Sequence, residues 1–205
     1  VAYFHFGRLS LSTPGWWAPE TKPAEGKASS HPEVNFLAWA EQEGIDAFVP
    51  WTAVEHPDFP GKKVEVGGIK PFLLYNPPFE KVADIATTHT DFILSLAAKA
   101  PKLEFHDVKT EKLSNGLTRV TATLYNNSPI PTHTEMGERS RWLRKVRVDI
   151  NKKADDLVAG EKIKLINSVG AYEKVTMSWV IQGSGSVEVK AGAAHTGFAK
   201  FNVNL

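Results

Sequence analysis

The chain has no cysteine, an absence that removes disulfide staples, thiol catalysis and cysteine-ligated zinc in one step. Neither sign of charge is in excess: 24 Lys and Arg face 23 Asp and Glu, a formal net charge of +1. The whole-chain balance therefore makes no case for nucleic acid or an anionic membrane as partner. Long apolar runs are missing too, and none approaches the roughly 18 residues that a membrane-spanning helix requires. A secretory signal is not written in the opening VAYFHFGRLSLSTPGWW, where Arg8, Ser10, Ser12 and Pro14 interrupt every apolar run. Internal repeats and low-complexity tracts are absent as well. What is present is 205 residues, enough for one or two domains that bury roughly 70% of the unfolded surface.

The first hundred residues mix helix, strand and turn signals. In SSHPEVNFLAWAEQEG, Ser30 and Glu33 stand at capping-box spacing, Pro32 suits a first helical turn, and Gly44 is placed to end a helix. Val34, Leu37 and Ala38 are predicted to share its buried face. A longer helix is predicted after Pro77 and Pro78, with Val82, Ile85, His89, Phe92 and Leu96 at three- and four-residue spacing and Pro101 closing it. Between the two, the Pro- and Gly-dense segment before residue 77 reads as an ordered excursion with short strands at Val64 and Val66 and at residues 72–74. The alternation of residues 2–13 reads as a further strand.

Beyond Pro101 the period is two. Leu103/Phe105, Val120/Ala122/Leu124, Val146/Val148/Ile150, Ile163/Leu165, Val175/Met177/Trp179/Ile181, Val187/Val189 and Phe201/Val203/Leu205 predict about seven strands, a number suited to two packed antiparallel sheets. Asn115-Gly116 predicts a hairpin between the first two, and Gly183-Ser184-Gly185 one between the fifth and sixth. The boundary is set near residue 101.

Ala2-Tyr3, Gly7, the stretch Leu9-Ser10-Leu11-Ser12-Thr13, then Gly15-Trp16-Trp17, Phe48-Val49-Pro50-Trp51, Glu55-His56-Pro57, Val66-Gly67-Gly68 and Asn76-Pro77-Pro78 follow one another in a recognisable order. Together they resemble the C-terminal part of bacterial zinc metallocarboxypeptidases of the carboxypeptidase A type that carry an appended β-sandwich. The resemblance runs along essentially the whole chain on loose motifs. It implies an α+β chain: residues 1–100 as the end of an α/β peptidase domain, then residues 101–205 as an immunoglobulin- or fibronectin-like sandwich. It also implies a secreted or periplasmic hydrolase as parent, acting on peptide C-termini, with the upstream part of the peptidase domain as this chain's partner. The abrupt apolar start fits that expectation of a piece cut from a longer domain.

The family's chemistry needs zinc held by His-x-x-Glu and a distant His, with a glutamate as general base. None of the seven histidines begins a His-x-x-Glu; His31 and His133 are each followed by a glutamate at two residues, Glu33 and Glu135. The chain itself is therefore expected to hold no cofactor, zinc belonging only with an upstream catalytic segment. The resemblance places the base two residues after Thr13, where the sequence reads Gly15. Three explanations stand open: a non-catalytic relative, a base supplied elsewhere with Glu20 the nearest, or a resemblance out of step by a few residues.

Other candidates each have two readings. Trp16 and Trp17, with Trp39 and Trp51, form either a stacking surface for a peptide or sugar or part of a core. His89 on an apolar stripe reads as a hydrogen-bonded core histidine before a ligand. Tyr3, His5 and Arg8 line a cleft or simply pack. Arg139, Arg141, Arg144, Lys145 and Arg147, interleaved with Trp142, either bind a polyanion or form the solvated face opposite Val146, Val148 and Ile150. Asn126-Asn127-Ser128 matches the glycosylation pattern. Two functions follow: the peptidase portion described above, acting with a peptide substrate, or a non-catalytic binding or structural module with an aromatic recognition surface. Neither nucleic acid nor membrane is an expected partner.

Overall fold

The structure, a computed structural model, describes residues 1–16 and 31–205. The chain divides into two compact units: Val1–Leu11 with Leu94–Leu205, and Ser12–Ile93. The first eleven residues thus group with the second half of the chain, whereas the sequence reading kept residues 1–100 together. Among the described residues no helix is long and apolar enough to cross a membrane.

Residues 2–13 do not form the expected strand. They open with helix α1 (Ala2–Phe6), closed by hydrogen bonds that the Gly7 and Arg8 amides donate to the Tyr3 and Ala2 carbonyls, at 2.9 and 3.1 Å. A strand needs a neighbour to satisfy its amides, whereas a helical turn satisfies its own. Gly7, at φ 61, then takes the left-handed conformation that stops the helix.

Helix α2 (Pro32–Gln42) and helix α3 (Val82–Ala97), the latter preceded by a 3-10 turn at Phe79–Lys81, stand where the sequence predicts them. The N-cap of α2 is His31; the predicted cap, Ser30, lies outside the described residues. Its buried face is Phe36, Trp39 and Ala40, with Leu37 of the predicted face partly buried against the same small core and Val34 and Ala38 exposed: the two aromatics carry the larger apolar area and turn the helix toward a core with Ala47. Strand β1 (Phe48–Val54) pairs antiparallel with β2 (Val64–Ile69). The sequence reading missed β1 because Pro50 carries no amide hydrogen. Proline is tolerated here because the register slips between Val49 and Thr52 and a two-stranded ladder has only edges. Residues 72–74 form a turn, not a strand.

The remaining strands are β3 (Leu103–Lys112), β4 (Leu117–Asn126), β5 (Val146–Ile150), β6 (Leu157–Ala159), β7 (Ile163–Ile166), β8 (Lys174–Gln182), β9 (Ser186–Ala193) and β10 (Gly197–Asn204), with a short helix α4 (Glu135–Ser140) ahead of β5. They form two four-stranded antiparallel sheets, ordered β3-β4-β8-β6 and β10-β9-β5-β7. One shared core lies between them, built from residues such as Val120, Leu124, Val148, Ile150, Trp179, Ile181 and Val189. The chain is thus mostly antiparallel sheet with few helices, and this part is a β-sandwich. All seven predicted strands are present, and β6 is the added one. Asn115 and Gly116, both at positive φ, make the predicted β3–β4 hairpin. Gly183-Ser184-Gly185 does not make a hairpin: β8 already lies between β4 and β6, and β9 between β10 and β5, so the turn carries the chain from one sheet to the other.

Candidate functional site

The sandwich unit holds a cleft of about 820 Å³ formed by α4, the segment after it, β5 and β7. Arg141, Arg144, Lys145 and Arg147 line it, with His133, Leu165 and Asn167, and among the described residues Glu138 is the one carboxylate in its lining. The sequence reading placed these cations on the outer face of a strand. Only Arg147 lies on β5; the others precede it, where no period-two alternation operates. Arg147 is held by Asp149, with Nε donating to Oδ2 at 3.2 Å, and Arg139 pairs with Glu135 one helical turn away. Among the described residues no carboxylate pairs with Arg141, Arg144 or Lys145.

Local structure explains why three cations converge. Thr134 caps α4 by accepting from the Gly137 amide at 3.0 Å, and its own hydroxyl donates to the Gly7 carbonyl at 2.7 Å. A side chain at Gly7 would fall inside contact distance of the Gly137 backbone, so α1 and α4 meet glycine to glycine. Arg141 ends α4 at φ 56, a conformation that costs a non-glycine residue about 1 kcal/mol and is typical of positions held for a site. Buried Leu143 then anchors the segment.

A hydrogen-bonded relay sets the backbone of the next residue. The Val169 amide donates to Thr132 Oγ1 at 2.8 Å, and Thr132 Oγ1 lies 3.0 Å from His133 Nδ1. His133 Nε2, with the ring proton there, donates to the Arg144 carbonyl at 3.1 Å. His133 is only 4% exposed, so this relay fixes the main chain at Arg144 away from water. Sequence reasoning passed over His133, noting only its spacing to Glu135.

The His195 ring stands edge to face with His133 at 4.8 Å, and its Nε2 donates to the Thr132 carbonyl at 3.0 Å. Burial, first, and then the neighbouring His133 and Arg8 hold His195 below the ordinary histidine value of 6.5, against the opposing pull of the Thr132 carbonyl. The unfolded chain then takes up this proton at higher pH than the folded one. Stability is complete above the ordinary value and falls as pH drops from there through the lowered folded value. Unfolding midpoints measured between pH 8 and 5 should fall on the acid side, and His195→Gln should flatten that slope; an unchanged slope in the variant rejects the assignment.

The other predicted site residues are not brought together. Gly15 is exposed, and nothing lies within 4 Å of where its side chain would begin. Trp16 packs into the small core, its ring 5.8 Å from Trp39, so these two are core and not a stacking surface. Trp51 is exposed on β1, and Trp17 and Glu20 lie outside the described residues. His89 is half-buried, with Nδ1 3.1 Å from Thr13 Oγ1, a hydrogen-bonded histidine. Tyr3 and His5 lie on α1 and Arg8 just after it. Among the described residues no group of three or more His, Asp or Glu side chains is placed to hold a metal. Asn126 is fully buried, so the glycosylation match is closed to an enzyme that must reach it.

Comparison with known proteins finds no curated protein that matches. Solved structures match across 51% of this chain at low similarity. They include the Bifidobacterium adolescentis GH3 beta-glucosidase, at 19% identity, TM-score 0.26 and 17% of that chain's length. DesR, a beta-glucosidase from Streptomyces venezuelae, matches at 15% identity and TM-score 0.26 over 51% of this chain and 15% of its own. Beta-glucosidase 3B from Thermotoga neapolitana matches at 11% and 0.24 over 51% and 17%. The chain thus spans under a fifth of the length of these structures, and values this low say nothing of its activity. Residues 102–204, the whole sandwich from β3 to β10 and just over half of the 205 residues, match a family described as "Domain of unknown function (DUF8731)", and the chain belongs to that family.

Proposed function

We propose that the chain is a non-catalytic binding module whose sandwich unit takes an anionic ligand in the basic cleft. The observation that carries this is the convergence of Arg141, Arg144 and Lys145 on one concavity with no carboxylate paired to them among the described residues. The cations outnumber Glu138 in the cleft, so it presents a net positive field to an anion. The strand orders support an immunoglobulin-type sandwich, with β3-β4-β8-β6 and β10-β9-β5-β7 standing as the two sheets of that fold. It departs from that type in one respect: edge strand β7 follows β6 along the chain, so the basic segment, β5 and β7 share one end of a sheet.

The test is calorimetric titration with inorganic polyphosphate, a sulfated glycan and polyglutamate at low and moderate salt. Saturable binding to at least one, weakened by salt, is expected. The double charge reversal Arg144→Glu with Lys145→Glu should lower affinity about a hundredfold, since charge-assisted hydrogen bonds contribute about 1.5–3 kcal/mol each. No saturable binding at low salt would sink the reading.

A second reading is favoured by a separate observation: Ser12–Ile93 exposes Trp51, Phe72, Tyr75, Phe79 and Ile93, each more than half open to solvent. This unit as a segment of a carboxypeptidase-like α/β domain would have that surface covered by the strands it lacks. The chain alone should then self-associate and take up no stoichiometric zinc. Light scattering over a concentration series and elemental analysis after dialysis check both, and a monodisperse monomer at high concentration contradicts the reading.

A further inference from the structure

The cleft is bordered by a sheet edge, and that edge is open. The Ile150 amide donates to the Lys162 carbonyl at 3.1 Å. Register pairs Val148 with Lys164 and Val146 with Ile166. Bonded pairs alternate in an antiparallel ladder, so Lys162, Lys164 and Ile166 turn their main-chain groups toward β5. The amides and carbonyls of Ile163 and Leu165 therefore point away from the sheet, and β7 is its last strand. Among the described residues they have no main-chain partner.

The side chains at the same two positions are also uncovered. Ile163 is 43% and Leu165 57% exposed, on the face opposite the core-directed Ile166. An edge carrying open amides and apolar side chains is a template for an added strand unless charge or a bulge blocks it. At β7 the neighbouring charges select rather than block, since Leu165 sits across from Arg147 and lines the cleft that holds Arg144 and Lys145.

We infer that the ligand is an acidic peptide segment bound in extended form as an added strand along β7, its carboxylates and apolar side chains both set on the face that Leu165 and Arg147 share, where the first meet the cleft cations and the second cover Ile163 and Leu165. This rests on the anion-binding reading and gives it a partner class. A phosphate or sulfate polymer satisfies the cations but leaves two open amides and two apolar side chains in water. An extended peptide satisfies all three at once.

The test uses the full chain and a fluorescent twelve-residue peptide with the repeat Glu-Thr-Leu-Thr, which sets Glu and Leu on one face of an extended strand. Three probes are compared by anisotropy: this peptide, the same peptide N-methylated at alternate amides, and inorganic polyphosphate. N-methylation on the ladder side keeps charge and side chains but removes the donors and acceptor geometry that a strand requires. The expected result is saturable binding of the parent peptide, at least tenfold weaker binding after N-methylation, and a similar loss for Leu165→Pro, which removes an outward amide on an edge strand where proline is tolerated. The N-methylated peptide carries the test even if that variant fails to fold. Equal binding of parent and N-methylated peptides, or tighter binding of polyphosphate, overturns strand addition while leaving an anion cleft in place. Binding of none of the three overturns the anion-binding reading itself.

Discussion

Trp179→Ala is expected to destabilise the sandwich by about 3–5 kcal/mol, the range for removing a large buried aromatic. Trp179 lies on β8, is 3% exposed, and belongs to the core between the two sheets. Its indole Nε1 donates to the Glu161 carbonyl at 3.0 Å, which ties the β6–β7 connection to the core. The connection is fitted closely around the ring: a side chain at Gly160 would begin 2.7 Å from Trp179 Cδ1. Truncation therefore leaves a cavity and an unpaired carbonyl together. Domain stabilities are only about 5–15 kcal/mol, so this is a large fraction of the whole. Urea denaturation followed by a probe within residues 102–204 measures it, since the second unit need not melt together with the first. Trp179→Phe should recover part of the loss by filling volume without restoring the hydrogen bond. A loss below about 1 kcal/mol for the alanine variant would contradict the packing described.

Asn126→Leu should be comparably damaging although it adds apolar surface to a buried site. The Asn126 side chain is fully buried at the end of β4. Its amide nitrogen donates to the Ile130 and Gly170 carbonyls, both at 2.9 Å, and at 3.4 Å to Val169. Its oxygen accepts from the Lys102 amide at 3.3 Å. One side chain thus joins three backbone segments: the entry to β3, the turn after β4 and the loop before β8. Leucine removes every one of these partners, and each buried group left unpaired costs about 1–3 kcal/mol. A loss of about 3 kcal/mol or more is expected in the same urea assay. Because the Val169 amide begins the relay to His133 and Arg144, the variant should also weaken anion binding under conditions where it remains folded. Full retention of stability would show that these groups find other partners.

The buried state of Asn126 also shows where a pattern read along the chain misleads. Asn-x-Ser is a local signature, but reaching the side chain depends on what the rest of the chain lays over it. The cleft presents the opposite case. Its residues are all visible in GERSRWLRKVRVDI, and the strand period of Val146, Val148 and Ile150 is correctly legible there. Extending that period backward to Arg144 and Arg141 fails because α4, the left-handed Arg141 and the His133 bond to Arg144 set a different path.

What the sequence determined by itself is what short-range physics decides. Alternating apolar residues mark seven of the eight sandwich strands, Asn115-Gly116 marks the turn that only positive φ can make, and Pro32 and the Pro77-Pro78 pair mark helix starts. Tertiary structure alone decided which strands pair, because β8 and β9 are adjacent in sequence yet each is already flanked on both sides in its own sheet. It decided that residues 2–6 coil into a helix whose closing Gly7 packs on Gly137, a contact between residues far apart in the chain. It also decided the buried face of α2, where Phe36 and Trp39 outweigh a regular stripe, and the gathering of Arg141, Arg144 and Lys145 beside an open edge. Each of these outcomes depends on groups far apart in the chain competing for the same contact, and periodicity within a window of residues does not record that competition.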